Sequence, residues 1–257
     1  MRVTVCEMSD ESKEFEKDWR RLVRHVQSEA SELVLLPEMV FSPWLFWRKT
    51  RRDALWRGAV KAHEDCAGRL VELSPAVVLG TRPVSRGRRR LNEGFIWQRK
   101  SGFRTAHEKF YLPDEPGFWE ASWYDRGNGD FVAQILPPDT GVGFTICTDL
   151  WFFEHSRSYG QAGVQLIVCP RATPKLTIDK WLAGGRAAAV VSGAYCLSSN
   201  RVNSGRGRTD LGGLGWIVGP DGEVLGLTNR RQPYVTLDLD LRAAEQAKQT
   251  YPRYVGK

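Results

Sequence analysis

Apolar residues along the chain recur in two alternating periods. Arg2 to Cys6 reads as a short strand, and Ser9 to Ala30 follows with Phe15, Trp19, Leu22, Val23 and Val26 at helical spacing, Ser9 or Asp10 serving as N-cap. Leu33 to Leu36 is a buried strand stopped by Pro37. A second helix lies within Arg52 to Leu73 and leads into the strand Ala76 to Gly80. Leu91 to Gln98 and Phe103 to His107 flank the turn Lys100-Ser-Gly102 as an antiparallel hairpin. Residues 111 to 130 show no period, and a loop of that length inside a domain is usually functional. Strands are then expected at Phe131 to Leu136, Val142 to Cys147, Val164 to Cys169, Ala194 to Ser199, Gly215 to Val218, Glu223 to Gly226 and Tyr234 to Leu239. Helices fill Trp151 to Ala162 and Ile178 to Val191, and Gly219-Pro-Asp-Gly222 supplies a hairpin turn.

Ten or more strands with four or five helices are too many for one doubly wound sheet with short connections. Two sheets packed face to face, each covered by helices, accommodate them: an α/β four-layer α-β-β-α sandwich formed as a single domain over residues 1 to 257.

Composition narrows the function classes. The 257 residues are 42% hydrophobic and 26% charged, which excludes disorder and a disulfide mini-fold. The net charge of +7 is local, because residues 82 to 109 carry nine Lys and Arg against two Glu and leave the remainder neutral. Ser85 to Arg90 reads as a solvated hairpin tip, and no zinc-finger spacing or RNA-binding aromatic signature accompanies it, so nucleic acid is not the expected partner. Cys6, Cys66, Cys147, Cys169 and Cys196 are odd in number and without a C-x-x-C pair, which argues against a disulfide framework or a zinc site and fits a reducing compartment. The N-terminus lacks the apolar core of a signal peptide, and the longest uncharged stretches, such as the 14 residues Ala187 to Asn200, are too short for a membrane span. A cytoplasmic protein is expected.

Three reactive residues share a context: Glu38, Lys109 and Cys147 each stand at the exit of an apolar strand. Taken singly, a Cys there is a small core residue more often than a nucleophile, and the Glu and Lys are ordinary surface charges. Together they could converge beyond the carboxyl ends of the strands, where ligands gather in α/β sheets. Cys147 also precedes a helical segment, a setting that with a nearby Lys favours thiolate, and the Thr148 amide would point toward an oxyanion position.

Leu33-Val-Leu-Leu-Pro-Glu38, Glu108-Lys-Phe-Tyr-Leu-Pro113 running into Gly117-Phe-Trp-Glu120, and Ile146-Cys-Thr-Asp149 occur in the order of the Glu-Lys-Cys motifs of nitrilase-like carbon-nitrogen hydrolases. The chain resembles that family over nearly its whole length, with further landmarks at Ser199-Asn-Arg201 and Gly219-Pro-Asp-Gly222. The resemblance implies a sandwich that pairs into a homodimer or higher homo-oligomer, and it requires no metal or other cofactor. It implies Glu38 as general base, Cys147 as nucleophile forming a thioester, Lys109 with the Thr148 amide as oxyanion stabilisers, and Glu120 positioning Lys and substrate. The expected substrate is a small amide or N-carbamoyl amine; a nitrile, or an acyl acceptor other than water, is the alternative, and an idle binding or scaffold protein the non-enzymatic one. Thr148 stands where the family often has an aromatic residue, and Leu150 and Trp151 replace the two arginines by which certain carbamoylases hold a carboxylate. A substrate without a carboxylate at that point is therefore expected.

Two further expectations concern neighbours. Cys147 with His107 or His155 would make a papain-like pair, although His155, eight residues on, should point away. Trp119, Trp123 and Trp151 lie close in sequence to site elements and could line an apolar pocket, with core or interface packing as the alternative.

Overall fold

The strand period becomes two faces with different partners. In the computed structural model, which describes residues 1–203 and 209–255, β1 (Arg2–Ser9) sends Val3 and Val5 into one core, and Cys6 and Met8 into another. β2 (Leu33–Leu35) repeats this, with Leu33 and Leu35 on the first side and Val34 on the second. The first sheet continues parallel from β2 to β3 (Val77–Arg86) and then antiparallel to β4 (Arg89–Gln98) and β5 (Gly102–Glu108). The second is built from β6 (Gln134–Leu136), β7 (Thr140–Phe144), β8 (Leu166–Arg171), β9 (Tyr195–Val202), β10 (Trp216–Val218) and β11 (Val224–Leu227). β12 (Tyr234–Asp238) runs antiparallel along the start of β1, whose end, Glu7 to Ser9, passes over to pair in parallel with β9.

Between the sheets lies a core of Val3, Val5, Leu33, Leu35, Leu79 and Ile96 from one side and Val142, Phe144, Leu166, Val168 and Leu197 from the other. Helix α1 (Ser12–Ser28) covers the outer face of the first sheet with Phe15, Trp19, Leu22 and Val26, joined by Cys66, Leu70 and Leu73 from the region of α2 (Asp53–Asp65) and α3 (Ala67–Leu70). Helices α4 (Phe153–Gln161) and α5 (Ile178–Ser192) cover the second with Tyr159, Trp181, Ala188 and Ala189. The result is the α-β-β-α layering expected from the element count.

Three local expectations are corrected, and one further helix is found. Ser9 belongs to β1 and Glu11 holds the N-cap of α1, while Asp10 turns away to accept from Trp44 N at 2.7 Å and to pair with Arg201. Phe131 to Ala133 are not strand; the Phe131 ring stacks on His155 at 3.5 Å, and pairing starts at Gln134. β7 ends at Phe144, so Cys147 stands beyond the strand at the head of a 3-10 turn, Cys147–Trp151. A short helix, α6 (Leu241–Ala247), capped by Asp240 accepting from Arg242 N, follows β12.

Candidate active site

β3, β2, β1, β9, β8 and β7, neighbours in that order, run parallel to one another, and the two antiparallel steps from β3 through β4 restore that direction in β5. The exits of β2, β5 and β7 therefore open on one rim, which is where Glu38, Lys109 and Cys147 follow.

Glu38 is fully buried, on a segment fixed from three directions. Glu38 N donates to Arg171 O, Met39 N donates to Thr81 Oγ1 at 2.8 Å, and the Arg201 guanidinium donates to Met39 O at 2.8 Å and to Ser42 O. The Ser199-Asn-Arg201 landmark thus has a physical role. Ser199 Oγ bonds Leu35 O at 2.6 Å, Asn200 Oδ1 accepts from Thr173 N at 3.0 Å, and Arg201 braces the turn after Glu38.

Lys109 Nζ, with no exposure, lies 2.8 Å from Glu38 Oε1 and 2.5 Å from Glu120 Oε2. Asn92 Nδ2 donates to the same Glu38 Oε1 at 2.7 Å, and Tyr124 OH donates to Glu120 Oε2. Each carboxylate is thereby held through one oxygen, while Glu38 Oε2 and Glu120 Oε1 are buried without a hydrogen-bond partner among the described residues. Buried carboxylate oxygens are rarely left so, and such atoms are where a substrate group or a proton fits.

Cys147 has φ +49°, a left-handed conformation that costs a non-glycine residue roughly 1–2 kcal/mol. The buried Asp149 overdetermines it. Its Oδ2 accepts from Ile146 N at 3.1 Å and pairs with His107 Nε2 at 3.0 Å, and its Oδ1 accepts from Phe110 N at 3.3 Å and Tyr111 N at 3.0 Å. One side chain thus ties the residue before the cysteine to the two residues after Lys109.

The electrostatics reverse one expectation. Burial and the adjacent Glu38 charge push the Cys147 thiol well up from its ordinary value, against the opposing pull of Lys109, so the resting sulfur is a thiol rather than a thiolate. Burial alone would lower Lys109, but the charges of Glu120 and Glu38 outweigh it and hold the amine well above its usual range. Burial lifts Glu120 to about 8 despite Lys109, with the Glu38 charge adding to the rise.

Cys147 opens on a cavity of about 210 Å³ lined also by Glu120, Thr148, Trp151, Trp181, Phe118 and Thr173, with Glu115 and Lys180 among its charged residues. Of the tryptophans singled out in the sequence, only Trp151 lines it; its ring lies 4.9 Å from that of Trp181. Trp123 is a core residue donating to Arg48 O at 2.7 Å and meeting Phe46 edge-on, and Trp119 packs against the same cluster beneath Lys49. Adjacency to Glu120 in sequence did not carry over into space, because the Glu120–Ser122 turn directs the flanking rings inward. Asn92, Tyr124, Thr173, Lys180 and Trp181 carry no local motif; the signal for Asn92 was a polar residue inside an apolar strand, and for Trp181 its place on the apolar face of α5.

The histidine alternative finds no support in geometry. His107 Nε2 faces Asp149 and its Nδ1 faces Asp130 O at 3.2 Å, while His155 Nε2 meets Tyr111 OH at 3.0 Å. In the basic segment Arg82 pairs with Glu93 and Arg86 with Glu93 and Glu108, while Arg90 pairs with Asp53 at the start of α2. No helix among the described residues is long and apolar enough to cross a membrane.

Comparison with known proteins bears on the chain as a whole. A family model described as carbon-nitrogen hydrolase matches residues 2–249. The chain is 27% identical over 246 residues to omega-amidase NIT2 of Bos taurus, covering 92% of this chain and 86% of that protein. It is 24% identical over 246 residues to N-carbamoylputrescine amidase of Arabidopsis thaliana, covering 86% and 80%. The solved structure of a carbon-nitrogen hydrolase from Helicobacter pylori G27 superposes with a TM-score of 0.85 at 19% identity, over 100% of this chain and 95% of that one.

Proposed function

The chain belongs to the carbon-nitrogen hydrolase family, and on that premise we propose that it cleaves the C–N bond of a small amide through a thioester on Cys147. Amidase-type hydrolysis agrees with the two relatives named above, an omega-amidase and an N-carbamoylputrescine amidase. The observation that carries the reading is the arrangement of free atoms in a buried site. Lys109 and Asn92 occupy one oxygen of Glu38, and Lys109 and Tyr124 one oxygen of Glu120, leaving Glu38 Oε2 and Glu120 Oε1 unpartnered close to a raised thiol.

A thiol held protonated needs a base at the moment of attack. Glu38 takes the Cys147 proton as sulfur adds to the amide carbon, and the carbonyl oxygen becomes an oxyanion. The Lys109 ammonium and the Thr148 N–H stabilise that charge, a contribution of roughly 3–4 kcal/mol per donor in comparable sites. The unpartnered Glu120 oxygen hydrogen-bonds the amide group and orients the substrate. Collapse breaks the C–N bond, and the proton on Glu38 leaves with ammonia or amine. Water then gives a proton to Glu38 and attacks the thioester; the C–S bond breaks, the acid is released, and the proton returns to sulfur. An N-carbamoyl amine fits the same steps, with the carbamoyl carbon as the acylated centre.

The test is ammonia release from a panel of small primary amides, N-carbamoyl amines and nitriles. Release from the first or second class, lost by more than about a thousandfold in Cys147→Ala and Glu38→Gln, is the expected result. Turnover that survives Cys147→Ala, or nitriles alone being consumed, contradicts the proposal.

A further inference from the structure

Folding redistributes the basic residues of the segment 82 to 109. β4 turns back along β3, so Arg99 and Lys100 lie at the far end from the β3–β4 tip, while Arg82 and Arg86 are bonded to Glu93 and Glu108. Arg88, Arg89 and Arg90 remain at the tip. There they meet a second basic run leading into α2, made of Arg48, Lys49, Arg51, Arg52 and Arg57. Arg90 and Arg51 reach the same Asp53, at 2.8 and 3.7 Å, with Arg57 close to it as well. Arg89 donates to Arg126 O, which brings in a further cation, and Asp125 Oδ2 accepts from Arg90 N at 2.9 Å. These segments hold nine cations and two acids, Asp53 and Asp125, and the rest of the sequence carries 28 of each sign. The net charge is thus gathered on one face. Because β3 runs parallel to β2, the tip rises from the rim that bears Glu38, Lys109 and Cys147.

Arg52, Arg57 and Arg88 are exposed and form no ion pair among the described residues. Like charges crowded in this way repel one another, a cost that an anionic partner reverses. Eight of the nine cations are arginine, whose planar fork matches pairs of phosphate oxygens. Two features select the bearer of the phosphates. A single nucleic-acid strand stacks its bases on open aromatic faces, but Arg48 lies over the Trp47 ring at 3.9 Å and Lys49 over Trp119 at 4.5 Å. Helix α2 buries Trp56, Ala59 and His63 and turns Arg52, Leu55 and Arg57 outward, so a leucine, 39% exposed, stands among arginines. Such a side chain has a place at the headgroup and acyl boundary of a bilayer. Against a phosphate backbone it has none.

We propose that this face docks the protein on an anionic phospholipid bilayer, with the arginines on lipid phosphates and Leu55 entering the interface. The docking surface is independent of the amide-hydrolase reading of Cys147. It needs no spanning helix, because attraction between a polybasic cluster and anionic lipid, helped by a small apolar insertion, is enough for reversible attachment. The tip and Cys147 share a rim, so docking sets the cavity near the headgroups.

The experiment is co-sedimentation of the full chain with vesicles of phosphatidylcholine alone and of phosphatidylcholine mixed with phosphatidylglycerol, at low and at physiological salt. The protein is expected to pellet with the phosphatidylglycerol vesicles only, and less strongly as salt is raised. The triple variant Arg52→Gln, Arg57→Gln, Arg88→Gln should lose about a hundredfold in vesicle affinity, near fivefold for each cation. A second triple, Arg24→Gln, Arg99→Gln, Lys100→Gln, makes the same change in net charge at exposed positions toward the opposite end of the strands and should stay within about threefold of the wild type. Leu55→Gln, which alters no charge, should cost about fivefold. All these side chains are exposed, and thermal melts matching the wild type show that each variant is folded. No pelleting with phosphatidylglycerol vesicles, or equal losses in the two triple variants, overturns the proposal. Retention on single-stranded or duplex nucleic acid that the first triple abolishes, without vesicle binding, also overturns it and gives the face to nucleic acid.

Discussion

Replacing Asn92 with Leu separates the aiming of Glu38 from the stability of the fold. Asn92 is fully buried in β4 and donates to Glu38 Oε1 at 2.7 Å, a bond that Lys109 shares at 2.8 Å. A hydrogen bond to a charged acceptor is worth about 1.5–3 kcal/mol, so its loss alone would destabilise the protein appreciably. The same substitution removes Asn92 Oδ1, itself buried without a partner among the described residues, whose desolvation costs about 1–3 kcal/mol. These terms offset, and a Leu of similar length fills the space, so the melting temperature should move by only a few degrees. Catalysis has no such offset. With one of two constraints on its carboxylate gone, Glu38 samples more orientations than the one the reaction uses, and about 1.4 to 2.8 kcal/mol of lost alignment corresponds to a fall in kcat of about 10- to 100-fold. Asn92 does not line the cavity, so KM should stay close to that of the wild type. The assay is steady-state ammonia release with thermal unfolding on the same samples. A variant that keeps kcat within about twofold while Glu38→Gln is inactive refutes the claim that β4 aims the base.

Two other outcomes follow from residues around the site. Asp149→Asn turns one of two doubly accepting oxygens into a donor, leaving Ile146 N and His107 Nε2, or Phe110 N and Tyr111 N, without an acceptor. A cost of about 1–3 kcal/mol per buried donor and a drop in kcat of about a hundredfold are expected; thermal melts and turnover near those of the wild type would contradict it. All five thiols are buried and pushed up by burial, Cys66 and Cys196 to about 12. Below pH 9 they are protonated in both folded and unfolded chains, but above it only the unfolded chain loses protons. Stability should thus fall by about 1.4 kcal/mol per thiol for each pH unit above 9, enough to unfold a domain of ordinary stability by about pH 10 to 11. Denaturant titrations from pH 7 to 11 test this: Cys196→Ala should flatten the decline, and a stability unchanged up to pH 11 would be incompatible with buried thiols.

The sheet layers were legible in the sequence because burial on both faces leaves a continuous apolar run, as at Leu33 to Leu36, and because the turn at Gly219 to Gly222 announces its hairpin. Where a residue packs against something distant, local pattern misled. Phe131 reads as strand, yet its ring is taken by His155, and Asp10 reads as a helix cap, yet Arg201 from β9 claims it. The site was legible to the extent that each member follows its own strand. Asn92, Tyr124 and Thr173 were not, since a lone polar residue shows its purpose only when the carboxylate or guanidinium it contacts is in place. The thiolate expectation failed for a related reason. Proximity of Lys109 to Cys147 was legible, but the depth of burial and the charge of Glu38 beside the sulfur, which decide the direction of the shift, belong to the folded state.

The central claim is that Cys147, among five buried cysteines, carries the acyl group during turnover. The most direct measurement is peptide mass analysis of the protein quenched in acid while it turns over a primary amide. Acyl mass on the peptide bearing Cys147, absent from those bearing Cys6, Cys66, Cys169 and Cys196 and absent altogether in Glu38→Gln, is the expected result. Acylation of another cysteine, or sustained turnover in Cys147→Ala, would contradict it.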